Sequence, residues 1–427
     1  MKVSLFWFRR DLRLTDNVGL SKALNSGLPI LPIFIFDDQI LHELEEDDAR
    51  VNFIYDQLFE INQKLRDKKT GLRVFRGNPL EIWKELLNNY EIAQVFLNKD
   101  YEPYALKRDR QIEEFLAENG IQFKACKDQV IFEENEVVKD DGKPYSVFTP
   151  YKNRWLKTLR IEDLKEASLA SDHFLPLQND FPSRQQLGIK PSSIKVYPFD
   201  LAAIEGYVQQ RDYPRMDTTH LSPHLRFGTI GIRELFNRIP EDASVFKSEL
   251  IWREFFMQIL YHYPKTVQHN FKSKYDGIEW RNNEEEFQAW CEGKTGYPLV
   301  DAGMRELNQT GYMHNRVRMV TASFLIKHLL IDWRWGEAYF AKKLLDFELS
   351  SNVGNWQWAA GTGCDSAPYF RIFNPVEQLK KYDKDLTYVR KWVEDFDELT
   401  YPQPIVEHKV ARERCLLAYK SALAEAE

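Results

Sequence analysis

The sequence predicts two domains of different class: an α/β N-terminal domain built on a parallel sheet, and a mostly α-helical C-terminal domain. Three observations predict this. Short apolar runs alternate with amphipathic helical stretches through the first third of the chain. A polar, proline-punctuated stretch follows. Beyond about residue 201 strand signals become few and helical spacing takes over.

The elements can be justified in order. Residues 3–8 are a short apolar run that reads as a buried strand, with a helical pattern after Asp16. Residues 31–36 (LPIFIF) form a second strand. Residues 49–65 place Val51, Ile54, Tyr55, Leu58, Ile61 and Leu65 at helical spacing. Residues 72–75 are a third strand, and Gly77-Asn78-Pro79 opens a helix, with Asn78 as cap and Pro79 in the first turn. Residues 93–97 are a fourth strand, 105–118 a helix ending at Gly120, and 122–125 a fifth strand. The βαβαβαβαβ order implies a Rossmann-like parallel sheet with helices on both faces. No GxGxxG follows the first strand, so a dinucleotide site of the usual kind is not supported there. Residues 161–200, interrupted by Pro176, Pro182, Pro191 and Pro198, read as a linker. The expected division is an α/β domain over 1–130, an interdomain stretch over 131–200 and a helical domain over 201–427. In the last of these, 249–261, 304–307, 317–330 and 379–396 are helix candidates.

Composition narrows the class. The chain has 427 residues, of which 43% are apolar and 14% aromatic, enough for two or three cores. A net charge of −7 gives no support for nucleic-acid binding, but a local basic patch, and not net charge, decides that contact. The four cysteines lie far apart and no pair has metal-ligand spacing, so a reduced, intracellular protein without a metal site is expected. The N-terminus reaches paired arginines after a short apolar run, unlike a signal peptide, and no transmembrane segment is expected.

Three segments carry chemistry. In residues 346–375, DFELSSNVGNWQWAAGTGCDSAPYFRIFNP, Trp356 and Trp358 stand among small residues. Large rings beside nearly absent side chains fit either a Trp-rich core next to a loop or a cavity for something flat and aromatic. In ELIWREFF, Glu249, Trp252, Arg253 and Phe256 share one helix face, which is either a salt-bridged half-buried helix or a pocket wall. In HNRVRM, Asn315, Arg318 and Met319 also share a face, either a helix end with exposed arginines or a polar edge beside rings.

Taken together, these segments resemble the photolyase/cryptochrome flavoproteins along nearly the whole chain. The matching runs are FWFRRDLRLTDN, FTPYKNRW, QQRDYP, LSPHLRFG, ELIWREFF, EGKTGYPLVDAGMREL, GYMHNRVRMVTASFL, DWRWGEAYF and NWQWAAGTGCDSAPYFRIFNP. Within the family the chain is most similar to class I cyclobutane pyrimidine dimer photolyases. The (6-4) photoproduct enzymes carry histidine at the places of Asn315 and Met319, and DASH-type cryptochromes usually carry Gln at that of Met319.

The resemblance implies FAD in the helical domain and light-driven splitting of pyrimidine dimers in DNA. It implies that Tyr207, Thr218, Thr219, Leu221, Ser222, Arg253, Arg318, Asp346, Glu348 and Asn352 hold FAD, Asn352 facing flavin N5 and Arg318 pairing with Asp346 beside the ring. It implies that Trp252 and Trp358 wedge around the flipped dimer, Glu249 and Asn315 hydrogen-bond it, and Met319 packs beside it. Arg253, Arg316 and Gln378 would contact the DNA, and Trp356, Trp333 and Trp280 would relay electrons to the flavin. The implied protein is a cytoplasmic monomer whose partner is DNA containing pyrimidine dimers.

Two departures stand out. Tyr312 occupies a place where the best-known members have Trp. Folate-binding members carry an Asn-Glu pair where this chain has Tyr104 and Ala105 in YEPYALKR, so a second, antenna chromophore in the N-terminal domain is expected to be a deazaflavin, a flavin or nothing. The alternatives are a (6-4) photolyase, a cryptochrome-type photoreceptor and a nicotinamide-linked flavin oxidoreductase. They are opposed in turn by the residues at 315 and 319, by the short tail after YPQPIVEHK, and by the lack of a Gly-rich nicotinamide site.

Overall fold

The computed structural model describes residues 1–169, 172–177 and 180–426, so residues 170, 171, 178 and 179 of the expected linker lie outside the described residues. The chain forms two compact units that are not consecutive in sequence. One comprises Met1–Val137, Trp155–Phe199 and His220–Asp242, the other Val138–Arg154, Asp200–Thr219 and Ala243–Glu427.

The first unit contains strands β1 (Lys2–Phe8), β2 (Ile30–Asp37), β3 (Arg73–Gly77), β4 (Glu91–Asn98) and β5 (Gln122–Cys126). They alternate with helices α1 (Val18–Leu24), α2 (Asp38–Leu41), α3 (Ala49–Arg66), α4 (Pro79–Asn89) and α5 (Pro103–Glu118). All pairings are parallel, in the order β3-β2-β1-β4-β5, with β1 central, as the strand–helix alternation predicts. The apolar runs are continuous because both faces are buried. Along β1, Phe6 and Phe8 enter a core with Leu20 of α1 and Leu58 and Ile61 of α3. The alternate residues Leu5 and Trp7 enter another with Trp83 and Leu86 of α4 and Ile112 and Leu116 of α5. Asn78 caps α4 by accepting from the Leu80 N–H at 2.9 Å, with Pro79 at the first position, as its sequence predicts.

No glycine-rich loop follows β1; a buried quartet of charges does. Arg13 Nη2 donates to Asp128 Oδ2 at 2.6 Å, while Arg233 donates to Asp16 Oδ1 at 2.8 Å and to Asp128 Oδ1 at 2.7 Å. None of the four side chains is more than 6% exposed. Burial alone would raise the Asp128 carboxyl, but the two guanidiniums hold it below its ordinary value. The quartet ties the segment His220–Asp242 into this unit. That contact is tight enough to demand glycine at Gly228, where φ is +65° and a Cβ would lie 2.1 Å from the Arg10 carbonyl oxygen.

The chain continues through α6 (Phe148–Thr158), α7 (Tyr207–Gln210), α8 (Leu221–Phe227), α9 (Ile232–Arg238), α10 (Ser244–His262), α11 (Glu284–Glu292) and α12 (Pro298–Thr310). It ends with α13 (Asn315–Ser323), α14 (Trp333–Lys343), α15 (Leu349–Ala360), α16 (Pro375–Tyr382), α17 (Thr387–Trp392) and α18 (His408–Glu425). The helical prediction holds, with corrections. The candidate at 304–307 is the middle of the longer α12. The helix expected over 317–330 starts earlier as α13 and then widens into a π-helical turn over Phe324–His328, where the Leu329 N–H reaches the Phe324 carbonyl. The helix expected over 379–396 is two helices. Asp383 ends the first, and its carboxylate accepts from the Tyr388 and Val389 N–H groups at 3.0 Å, capping α17 and fixing the break. Among the described residues no helix is long and apolar enough to cross a membrane.

Removing the charge of Asp128 leaves Arg13 buried without a carboxylate and Arg233 with Asp16 alone. Asp128→Asn is therefore expected to lower the unfolding free energy by about 3–5 kcal/mol in chemical denaturation. A loss below about 1 kcal/mol would show the quartet to be energetically neutral.

Candidate active site

Helix α15 carries the segment with two tryptophans, and its periodicity sorts the residues onto three faces. Asn352 and Trp356, one turn apart, meet α14. Asn352 Nδ2 donates to the Glu337 carbonyl oxygen at 3.1 Å and to Glu337 Oε1 at 2.8 Å. Gly336 allows the approach of Trp356, since a Cβ there would lie 2.1 Å from the indole. Ser350, Gly354 and Gln357 face elsewhere. Gly354 sits against Phe256 of α10, where a Cβ would be 2.2 Å from the ring. Gln357 is buried; its Nε2 donates to the carbonyls of Thr266 and His269, and its Oε1 accepts from the Phe271 N–H. Ser351, Asn355 and Trp358 form the third, more exposed face. The small residues are thus partly helix-packing positions, in keeping with the first of the two readings of this segment, a Trp-rich core.

The expected relay tryptophans are buried to different depths. Trp356 and Trp333 lie in one large aromatic core, 2% and 0% exposed, and Trp280 packs half-buried against it. The three are not in ring contact with one another. Trp356 meets Phe340 at 5.0 Å and Trp290 at 6.2 Å, both edge-on. Trp333 Nε1 donates to Asn270 Oδ1 at 3.0 Å, and Trp280 meets Tyr419 edge-on at 6.1 Å. Trp290 escaped the sequence reading because nothing in its local pattern distinguishes it from an ordinary core residue.

Helices α10 and α13 supply the ion pairs. Arg318 binds Asp346 in bidentate fashion at 3.2 and 2.9 Å and donates through Nε to the Met313 carbonyl, as expected of a pair. Arg253 lies 3.6 Å from Glu348, whose carboxylate also accepts from Ser351. Glu249 is held by Arg211 Nη1 at 2.7 Å. Arg211 was not singled out from the sequence, although it stands four residues after Tyr207 and so on the same helical side. Burial first, then the charge of Glu249, pushes the Tyr207 hydroxyl up to about 12.

The expected lesion contacts are all accessible. Trp252, Met319 and Trp358 are half-buried and Asn315 is exposed at the first position of α13. Arg316 pairs with Asp212 at 2.7 Å and lies over the Tyr382 ring at 4.5 Å. Gln378 Oε1 is buried without a partner, a waiting acceptor. Of the expected phosphate segment, Thr218 and Thr219 end one part of the helical unit, while Leu221 and Ser222 begin α8 in the first unit, after His220 in a left-handed conformation. Tyr312 is half-buried just ahead of α13.

These groups suit a flat, anionic cofactor. Asn352 spends its amide nitrogen on Glu337 and keeps its carbonyl oxygen as an acceptor. Ser350 Oγ is buried without a partner, and Arg318 supplies positive charge. In the first unit, Tyr104 donates to Asp37 Oδ2 at 2.5 Å, and Arg108 lies 5.0 Å over the Trp7 ring. Ala105 is buried.

The model of the DNA photolyase family matches residues 4–170, and that of the FAD binding domain of DNA photolyase matches residues 246–400. The chain is 37% identical to a deoxyribodipyrimidine photo-lyase of Escherichia coli over 473 residues, covering 99% of each chain. The crystal structure of a class III photolyase from Agrobacterium tumefaciens superposes with a TM-score of 0.88 at 32% identity, covering 99% of this chain and 98% of the other. That of an archaeal photolyase from Sulfolobus tokodaii, with two FAD molecules, gives 0.87 at 34% identity, covering 99% and 100%. The chain belongs to the DNA photolyase family.

A pH dependence follows from two histidines, His328 buried and His314 half-buried. His314 caps α13 by accepting from the Arg316 N–H through Nδ1, so it must be unprotonated. Burial, then the charge of Arg318, lowers it to about 4. Burial and the neighbouring His408, 2.8 Å away, lower His328 to about 3. Both are depressed bases, so the unfolded chain binds more protons than the folded one below an ordinary histidine value of about 6.5. Stability is expected to be fully present above about pH 6.5 and to fall as pH drops toward 4, by up to about 1.4 kcal/mol per pH unit for each histidine. Denaturation midpoints from pH 7 to 4.5 check this, and His328→Asn should flatten the slope.

Proposed function

We propose that the protein repairs cyclobutane pyrimidine dimers in DNA under blue light, with FAD in its helical part, residues 201–427. One observation carries the reading: α15 commits Asn352 and Trp356 to buried neighbours while Trp358 remains half-exposed, so one helix can serve a cofactor and a flipped base together. The chemistry that FAD supplies when bound is donation of one electron to the cyclobutane ring and its return, with no net oxidation.

The chain's residues bind and orient. Arg318, tied to Asp346, sets positive charge beside the ring, and Asn352 offers an uncharged acceptor that does not titrate near neutrality. Tyr207, Thr218, Thr219, Leu221, Ser222, Arg253 and Glu348 complete the cofactor set. Trp252 and Trp358 replace the stacking that a flipped dimer loses, worth about 1–3 kcal/mol per base. Glu249, oriented by Arg211, and Asn315 hydrogen-bond the lesion, Met319 packs beside it, and Arg316 and Gln378 hold the strand. Trp280, Trp333 and Trp356 carry electrons inward to reduce the cofactor. The protein acts as a monomer in the cytoplasm, in keeping with four free, buried cysteines. Residues 1–130 form the antenna part. Tyr104, engaged with Asp37, and buried Ala105 disfavour folate and leave a deazaflavin, a second flavin or no antenna chromophore.

The decisive assay illuminates photoreduced protein with DNA carrying cyclobutane thymine dimers, beside a (6-4) substrate and a dark control. Recovery of intact thymines only from the cyclobutane substrate in light is expected, and its absence rejects the reading. For the relay, Trp280→Phe should slow light-driven cofactor reduction at least tenfold while leaving repair by chemically reduced enzyme within twofold of wild type. Equal loss of both would remove Trp280 from the relay.

A further inference from the structure

We propose that Phe148 is a positioning residue for lesion recognition, acting as the rigid backing of the Trp252 indole; this rests on the repair function above. The two rings are stacked face to face, with centroids 3.7 Å apart and planes within 9°. The other aromatic neighbours of Trp252, Phe255 and Phe256, meet it edge-on at 5.5 Å and tilted at 5.4 Å. An indole has two faces. Phe148 covers one, and it is itself only 6% exposed, so it lies on the protein side of Trp252. The accessible area of half-buried Trp252 is then left for an incoming flat group.

Phe148 is held in turn. It starts α6, and its backbone N–H donates to Asp365 Oδ2 at 3.0 Å. Asp365 belongs to the loop after α15 and has a positive φ of 40°, a conformation costly for a side-chain-bearing residue unless its contacts compensate. Phe148 also meets the fully buried Phe255 edge-on at 5.8 Å. The stack therefore links the start of α6, the loop after α15 and α10. A stacking surface with no backing has to be ordered when the base arrives, and that ordering weakens binding. A pre-stacked indole avoids it. The flat face of Phe148 matters for this, because an aliphatic side chain fills space without fixing the plane of its neighbour.

The test uses the full-length, FAD-loaded protein with Phe148→Leu and Phe148→Tyr. Affinity is measured for a duplex with one cyclobutane thymine dimer and for the same duplex undamaged, and light-driven FAD reduction is followed separately. Phe148→Leu is expected to bind the dimer duplex about three- to tenfold more weakly, with the undamaged duplex and the reduction rate unchanged. Phe148→Tyr, which keeps the ring, is expected to stay within twofold of wild type. Should the leucine variant fail to fold, Phe148→Met, which keeps bulk without a flat face, replaces it with the same expectation. Unchanged discrimination in Phe148→Leu, or equal weakening on both duplexes, overturns the positioning role while leaving the repair function standing. A wild type that binds both duplexes equally and repairs neither overturns both.

Discussion

Helix α15 has three faces, two of them committed to different neighbours and the third more exposed. Near 100° per residue, Asn352 and Trp356 fall together, Ser350, Gly354 and Gln357 fall together, and Trp358 falls with Ser351 and Asn355. The first face needs a partner without a side chain, and Gly336 is that partner. The second needs Gly354 so that Phe256 of α10 can close in, and Gln357 so that the carbonyls of Thr266 and His269 are not stranded. The third, with Trp358, stays partly exposed. Rotating the helix by one residue would break both sets of contacts at once, so a dozen residues determine how α10, α14 and residues 266–271 can be arranged.

Much of this was legible in the sequence, for reasons that differ between the two parts. In the first unit, strands buried on both faces leave unmistakable apolar runs, and Asn78-Pro79 announces a helix start through its own side-chain chemistry. In the second, the presence of helices was legible but not their ends. The break at Asp383 depends on a carboxylate reaching the N–H groups of Tyr388 and Val389, and the turn at Phe324–His328 on a widened backbone register; neither alters hydrophobic periodicity. At the site, the pairing of Arg318 with Asp346 followed from resemblance, but Glu337 and Arg211 did not appear. A lone carboxylate or guanidinium on a helix reads as a solvated face until its partner is known. Gln357 did leave a trace, as an amide between two indoles in an otherwise small and apolar helix.

The two units use charge differently. The Arg13–Asp128–Arg233–Asp16 quartet is closed: each carboxylate has a guanidinium and no member is more than 6% exposed, so it fixes structure. The pairs of the helical unit are more open. Arg318 is 28% exposed against 9% for Asp346, and Arg211 and Glu249 are both partly solvated. An arginine has five donors, and a single bidentate carboxylate uses two. What remains can meet a phosphate, a ring carbonyl or a base edge, and the pairing keeps the side chain oriented while it waits. This is why the negative net charge of the chain says little about its partner.

The same contrast of closed and open governs the indoles. Trp356 and Trp333 are enclosed in hydrocarbon, with their positions set by packing and, for Trp333, by a bond to Asn270. Enclosure removes water that would have to reorganise around a transient charge, so burial suits a residue that passes electrons. In their proposed role Trp252 and Trp358 face the opposite requirement, because a stacking surface must be reachable and yet must not move. A half-exposed ring in isolation would be free about its χ angles and would lose that freedom on binding. For Trp252 the Phe148 stack bears that cost during folding, when the Asp365 contact and the buried Phe255 set the plane of the pair. On the proposed role of Trp252, recognition of a flat lesion is then prepared in the core of the helical unit, one layer beneath the ring that would touch it.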